Sequence, residues 1–176
     1  MIDLHYNFLS EHSLNLIDNK IEELFNSRGS KPLFSSSVSH WEKNLIDSSI
    51  PILRYTLKSE DLELLNALKS EIEGKINYFV EDVIIHICPR LSYIPWHNDG
   101  NHKAAISIYI SKKWDPNWGG YFLYADDQKN IRGVIPERNL AIFQKGGTPH
   151  SVSLIGMNAD YRISIQCFLR MEKKLM

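Results

Sequence analysis

The chain has 176 residues, 43% of them hydrophobic and 23% charged, with 20 Lys+Arg set against 21 Asp+Glu. Such a size and composition fit one globular domain over residues 1–176 and exclude a disordered chain, a collagen-like repeat and a membrane protein. A net charge of −1 creates no global field toward nucleic acid or an anionic membrane, so neither is an expected partner.

The opening run MIDLHYNFLSEH lacks the basic start and apolar stretch of a signal peptide, and a cytoplasmic address is expected. From Ser13 onward, Leu14, Ile17, Ile21, Leu24 and Phe25 share one helical face, with a stop at Asn26-Ser27-Arg28-Gly29. A second helix is predicted from Ser59 as N-cap, with Glu60, Asp61 and Glu63 at the positive end of its dipole. Its expected stripe is Leu62, Leu65, Leu68, Ile72, Ile76 and Phe79. Between the helices, residues 30–58 are rich in Ser and turn formers, with Phe34, Trp41 and Ile52 interspersed, and read either as a lid or as a loop packed on the core.

From Val80 the texture changes to short strand-like runs: VEDVIIHIC, SYIPWH, AAISIYIS, GYFLYA, IRGVI, LAIFQ, HSVSLI and YRISIQCFL. Eight such runs without an intervening helix predict an antiparallel sandwich or barrel. The fold class is therefore α+β, mainly β: helical support and a possible lid over 1–79, then a small barrel or jelly roll over 80–170. Cys88 and Cys167 lie in apolar strand runs and are expected to be buried free thiols.

Alternation sorts the strands into faces. Ile106, Ile108 and Ile110 oppose Ser107, Tyr109 and Ser111; Ile163, Ile165, Cys167 and Leu169 oppose Arg162, Ser164, Gln166 and Phe168. A solvent face carries Lys, Glu and Thr, whereas one Arg, one Ser, one Gln and a Phe describe the wall of a polar cavity.

His97-Asn98-Asp99 places an imidazole and a carboxylate on one face of an extended segment, with Cα atoms about 6.5 Å apart, close enough to bind one metal ion. His150 in TPHSV supplies a third ligand, and two His with one carboxylate leave open positions for substrate and dioxygen, as in non-haem Fe(II) oxygenases. His-x-Asp/Glu alone is weak, since seven His among this many acids produce about one chance match per chain. A second copy, His40-Trp41-Glu42, has no partner His at strand spacing and reads as a surface pair. The copy at His97 comes with Gly119-Gly120 opening a strand, Pro136 before LAIF, His150 opening another, and Arg162-Ile163-Ser164 beyond it.

Residues 83–170 resemble the 2-oxoglutarate/Fe(II) dioxygenase superfamily and, within it, the prolyl 4-hydroxylase-like branch. The run YIPWHNDGNHKAAISIYISKKWDPNWGGYFLY carries the likeness: the Tyr before the His-x-Asp, the strand with a Tyr, the Lys-Trp pair and the Gly-Gly. The resemblance implies a double-stranded β-helix, a jelly roll with N-terminal helices packed on one sheet. It implies Fe(II) held by His97, Asp99 and His150, and 2-oxoglutarate and O2 as cosubstrates. Arg162 resembles the basic residue that pairs with the distal carboxylate of 2-oxoglutarate, which suits a rigid bidentate fork. Tyr109 matches a tyrosine that hydrogen-bonds the same carboxylate, and Ser164 is a further donor on the same face as Arg162. Ile87–Ser92 departs from the family pattern by lacking the Tyr and Gly-containing turn, leaving Arg90 or Tyr93 as candidates for the iron-chelating end.

Trp96, Trp114 and Trp118 read first as packing residues, His86 as a sheet-face histidine, His102 as a loop residue near the site mouth, and Asp126-Asp127 as a hairpin turn. The function implied is hydroxylation of an unactivated C–H bond, on a prolyl residue or on a free amino acid or natural-product intermediate. Asp99 favours hydroxylation over halogenation, because halogenases of the family replace the carboxylate by a small residue. Two rivals stand beside it: a cupin-like metal oxygenase that needs no 2-oxoglutarate, and a non-enzymatic jelly-roll module that binds a ligand or partner.

Overall fold

A computed structural model describes residues 2–26, 35–36, 52–99 and 102–171. The chain begins with strand β1 (Ile2–His5) and helix α1 (Glu11–Asn26). Ser10 caps α1, its hydroxyl accepting from the Ser13 N–H at 3.2 Å. Leu14, Ile17, Ile21 and Leu24 are buried, as their spacing predicts. Strands β2 (Ser35–Ser36) and β3 (Leu53–Thr56) follow, then α2 (Leu62–Lys75). Phe34, Trp41, His40, Glu42 and most of the segment read as a lid or loop lie outside the described residues.

Helix α2 departs from its predicted stripe. A 3₁₀ turn over Ser59–Asp61 precedes it, and the buried residues are Leu64, Leu68 and Ile72, while Leu62 is exposed. A 3₁₀ turn advances by three residues instead of 3.6, so a phase counted from Ser59 is wrong by the time the α-helix starts. Ile76 has left the helix in an extended conformation, and Phe79 opens the next strand, more than a third exposed. The capping group is Asp61, not Ser59: its carboxylate accepts from the Lys58 N–H at 2.9 Å.

Asp61 also ties three elements together. It accepts from the Tyr55 hydroxyl at 2.9 Å on β3 and pairs with Lys20 of α1 at 2.8 Å, with its side chain only 3% exposed. Burial works against its ionised form, but the Lys20, Lys58 and Tyr55 hydrogen bonds outweigh this and hold the carboxyl below its ordinary value. A depressed folded-state pKa stabilises above the unfolded value and is lost as the pH falls through the folded one. The tie therefore weakens only as the pH drops below the ordinary 3.8. Asp61→Ala leaves the Lys20 ammonium without its buried partner; in chemical denaturation at neutral pH we expect a loss of about 3 kcal/mol, shrinking toward zero at the acid end.

The eight predicted strands are all present: β4 (Phe79–Cys88), β5 (Ile94–His97), β6 (Ala104–Tyr109), β7 (Phe122–Ala125), β8 (Ile131–Val134), β9 (Ala141–Lys145), β10 (His150–Val152) and β11 (Arg162–Arg170). They form two antiparallel sheets, ordered β1-β9-β6-β11-β4-β3-β2 and β5-β10-β7-β8, the sandwich of a double-stranded β-helix. One face of the larger sheet carries Val83, Ile85, Ile87, Ile106, Ile108, Ile165, Cys167 and Leu169 and packs under both helices. Each fully buried Leu or Ile in that layer contributes about 1.5–3 kcal/mol. The other face looks toward the smaller sheet, across a cavity. Among the described residues no helix is long and apolar enough to cross a membrane.

Candidate metal centre

Strands β5 and β10 pair antiparallel with His97 directly opposite His150, which brings the imidazole centroids to 4.2 Å. Asp99, just past the end of β5, turns its carboxylate toward both rings: His97 Nε2 lies 3.9 Å from Oδ1 and His150 Nε2 3.8 Å from Oδ2. One ligand atom from each of the three residues lies within 4.8 Å of the others. That spacing suits three ligands at about 2 Å from a common ion.

The tautomers are set for coordination. His97 Nδ1 meets the Pro95 carbonyl at 2.8 Å and His150 Nδ1 the Thr148 carbonyl at 2.9 Å. A carbonyl only accepts, so each Nδ1 carries the proton and each Nε2 presents a lone pair to the shared point. Burial first, and then the neighbouring His97, lowers the pKa of His150 and keeps it in the neutral form that binds metal. Phe122 stacks on the His150 ring at 5.3 Å and 22°, fixing its plane.

Gln144, a residue the sequence reading missed, completes the support. It is 2% exposed on β9 and donates from Nε2 to Asp99 Oδ2 at 2.6 Å, leaving Oδ1 unencumbered. Its signal was present in LAIFQ: Ala141 and Phe143 face the helices, so Gln144 must share the inner face with Ile142.

The cavity between the sheets has a volume of about 880 Å³, and the predicted inner face of β11 lines it with Arg162, Ser164, Gln166 and Phe168. Arg162 is only 3% exposed. Its Nε donates to the Gly120 carbonyl at 2.8 Å, its Cζ lies 4.8 Å from the centre of the Tyr109 ring, and among the described residues it joins no ion pair. An enclosed guanidinium without a carboxylate is costly unless a ligand supplies one. Beside it, the Tyr109 hydroxyl is fully buried and among the described residues has no hydrogen-bond partner. Burial pushes its pKa up to about 12 against the pull of Arg162, so it stays a donor. Tyr109 lies behind the guanidinium and is not part of the open lining, whereas Ser164 is.

Gly119 and Gly120 place Arg162. Both have positive φ, 68° and 66°, and a Cβ at 120 would come within 2.8 Å of Trp114 Cζ2 and 3.2 Å of Arg162 Cδ. Only glycine leaves room for the arginine stem there.

The remaining candidates divide. Arg90 is exposed, and neither it nor Tyr93 lines the cavity; Arg54 of β3 and His86 of β4 do. Arg54 went unread because it sits in the Ser-rich segment taken for a loop. Trp114 and Trp118 meet edge to face at 5.4 Å and pack on the Ile52–Cys88–Ile94 cluster, while Trp96 is half-exposed on the cavity lining. His102 stacks on Phe168 at 3.9 Å near the opening. Asp126 and Asp127 form the β7–β8 hairpin turn, with Asp126 accepting from the Gln128 and Asn130 N–H groups. Cys88 and Cys167 are buried free thiols.

No protein-family model matches the chain, and no curated protein is similar to it in sequence. Solved structures are similar across almost its whole length. A Pseudomonas putida prolyl-4-hydroxylase superposes with a TM-score of 0.72 at 15% identity, covering 97% of this chain and 92% of that one. A Trichoplax adhaerens prolyl hydroxylase, solved with a hypoxia-inducible-factor peptide fragment, reaches 0.78 at 15% identity over 98% and 84%. A viral collagen prolyl hydroxylase from Paramecium bursaria Chlorella virus-1, in its 2-oxoglutarate complex, gives 0.67 at 16% identity over 97% and 96%. The chain thus has the fold of the 2-oxoglutarate/Fe(II) oxygenases, with the prolyl 4-hydroxylase branch among its structural neighbours, as the sequence resemblance implied.

Proposed function

We propose that the protein is an Fe(II)- and 2-oxoglutarate-dependent dioxygenase that hydroxylates an unactivated C–H bond. The observation that carries this is the pairing of two features in one cavity: a His97–Asp99–His150 triad with both Nε2 lone pairs converging, and a buried Arg162 that, among the described residues, lacks a carboxylate partner and lies beside a Tyr109 hydroxyl also without one. When bound, Fe(II) and 2-oxoglutarate supply the oxidising chemistry, consuming O2 and releasing succinate and CO2 with the hydroxylated product.

The chain's own residues bind, orient and exclude. His97, Asp99 and His150 hold the metal from one side, and Gln144 keeps the Asp99 carboxylate turned toward it. Arg162 offers a fork to the distal carboxylate of 2-oxoglutarate, with Tyr109 and Ser164 as further donors. The inner face of the larger sheet and Phe122 exclude water from the reacting centre. Asp99 occupies the place that a halogenase would leave open, which keeps the reading on hydroxylation.

The prolyl hydroxylase neighbours bring a prolyl residue into scope as substrate, and the cavity is also roomy enough for a free amino acid or natural-product intermediate beside the cosubstrate. The reading is tested by succinate formation. We expect it to require both Fe(II) and 2-oxoglutarate, to stop on chelation and to return when Fe(II) is restored. Substrate oxidation that proceeds without 2-oxoglutarate would instead support the cupin-like rival.

A further inference from the structure

The cavity is lined by a second guanidinium, Arg54, besides Arg162. Arg54 of β3, in the same seven-stranded sheet as β9 and β11, lines it half-buried, and among the described residues its enclosed Nε has no hydrogen-bond partner. It sits in register with His86, which pairs in turn with Ser164, so Arg54 lies two strands away from the Arg162-bearing strand β11. Asp82 lines the same wall from β4, opposite Phe168, on which His102 stacks. Burial lowers the pKa of Arg54 and the negative charge of Asp82 raises it, so the two groups sense each other, yet among the described residues they close no ion pair. A half-buried cation and a solvent-exposed anion thus line one cavity, beside an apolar shelf of Ile84 and Phe168.

We propose that Arg54 and Asp82 recognise a small zwitterion of the α-amino-acid type, the guanidinium taking its carboxylate and Asp82 its ammonium, so that the substrate is a free amino acid in preference to a residue within a polypeptide. This rests on reading the site as a 2-oxoglutarate oxygenase. A residue inside a peptide carries neither charge, and seating a neutral amide against Arg54 leaves its enclosed Nε–H beside a weaker acceptor. Arg162 and Tyr109, two and three strands across the same sheet from Arg54, already suit the distal carboxylate of 2-oxoglutarate. The two carboxylates are then separated by location: the cosubstrate's at the start of β11, the substrate's on β3. The Phe168–His102 stack and Ile84 take the apolar side chain.

The test uses the full chain loaded with Zn(II), a redox-silent ion, and 2-oxoglutarate. Binding of the proteinogenic L-amino acids is compared by calorimetry with that of their C-terminal amides, their N-acetyl derivatives and a proline-containing peptide. At least one free acid should bind about 10- to 100-fold more tightly than its amide and its N-acetyl form. Arg54→Gln should erase the acid–amide difference, and Asp82→Asn the amine–acetyl difference, while the ligand comparison on the unaltered chain needs no variant to fold. If no acid outbinds its amide, or the peptide outbinds every free acid, the proposal is wrong. It is equally wrong if Arg54→Gln weakens 2-oxoglutarate and leaves the acid–amide difference intact, for Arg54 then serves the cosubstrate. Failure of 2-oxoglutarate to bind the Zn(II)-loaded chain before any amino acid is added marks the underlying reading as the one at fault, and the proposal falls with it.

Discussion

We expect His150→Ala to remove both iron binding and 2-oxoglutarate turnover. His150 is 5% exposed, opens β10, and sits opposite His97 in the strand pairing, so no other imidazole among the described residues is placed to substitute. Groups that merely orient a ligand are worth about 10- to 100-fold in metal affinity, and loss of a ligand itself should exceed about 100-fold. Gln144→Leu, which strips the hydrogen bond from Asp99, supplies the graded comparison within that 10- to 100-fold window. Metal titration followed by calorimetry checks both. Normal iron retention in His150→Ala would remove the triad from the account.

Arg162→Met separates the cosubstrate site from the metal. Truncating one member of a buried charge pair costs about 2–5 kcal/mol, which is roughly 30- to 4,000-fold in 2-oxoglutarate affinity. Iron affinity should be unchanged, because Arg162 contacts Gly120 and Tyr109 and none of the three ligands. A second sign distinguishes a ligand-binding arginine from a structural one. The guanidinium is enclosed and among the described residues has no carboxylate partner, so replacing it by an apolar side chain of similar length should leave the apo-protein at least as stable. Thermal melts with and without 2-oxoglutarate read this directly: at one ligand concentration the rise in Tm should be much smaller in Arg162→Met than in the parent. A large stability loss in the ligand-free variant would mean that Arg162 is a structural residue.

Strands β6 and β11 were the most legible because one face of each is uniformly apolar, as in Ile106-x-Ile108-x-Ile110 and Ile163-x-Ile165-x-Cys167. Burial under two helices demands that pattern. The opposite face was legible as a cavity wall for the converse reason, that Arg162, Ser164 and Gln166 are the wrong residues for open solvent. Strand β1 escaped notice because four edge residues, Ile2–His5, show no alternation of burial, and β3 because LRYT is embedded in a Ser-rich run. Both strands form through tertiary pairing, with β9 and β4 respectively, and such pairing leaves little local trace. The α2 stripe held at Leu65, Leu68, Ile72 and Ile76, which pack on the core, and failed at Leu62 for a local reason, the 3₁₀ turn that shifts the phase before it. His97 and Asp99 could be read from their spacing, but Gln144 bonds a partner far away in sequence and Arg54 reaches the cavity from a strand far from the triad, so both show themselves only once the sheets close.

The most direct measurement is an anaerobic titration of the apo-protein with Fe(II) and then 2-oxoglutarate, followed in the visible region. The account predicts the weak charge-transfer band of a chelated keto acid, present in the parent, absent in His150→Ala, and displaced to much higher 2-oxoglutarate concentration in Arg162→Met. Iron that binds at His97, Asp99 and His150 without any such band would contradict it and favour a metal oxygenase that uses no keto acid. A chain that binds no iron at all would favour the jelly-roll binding module.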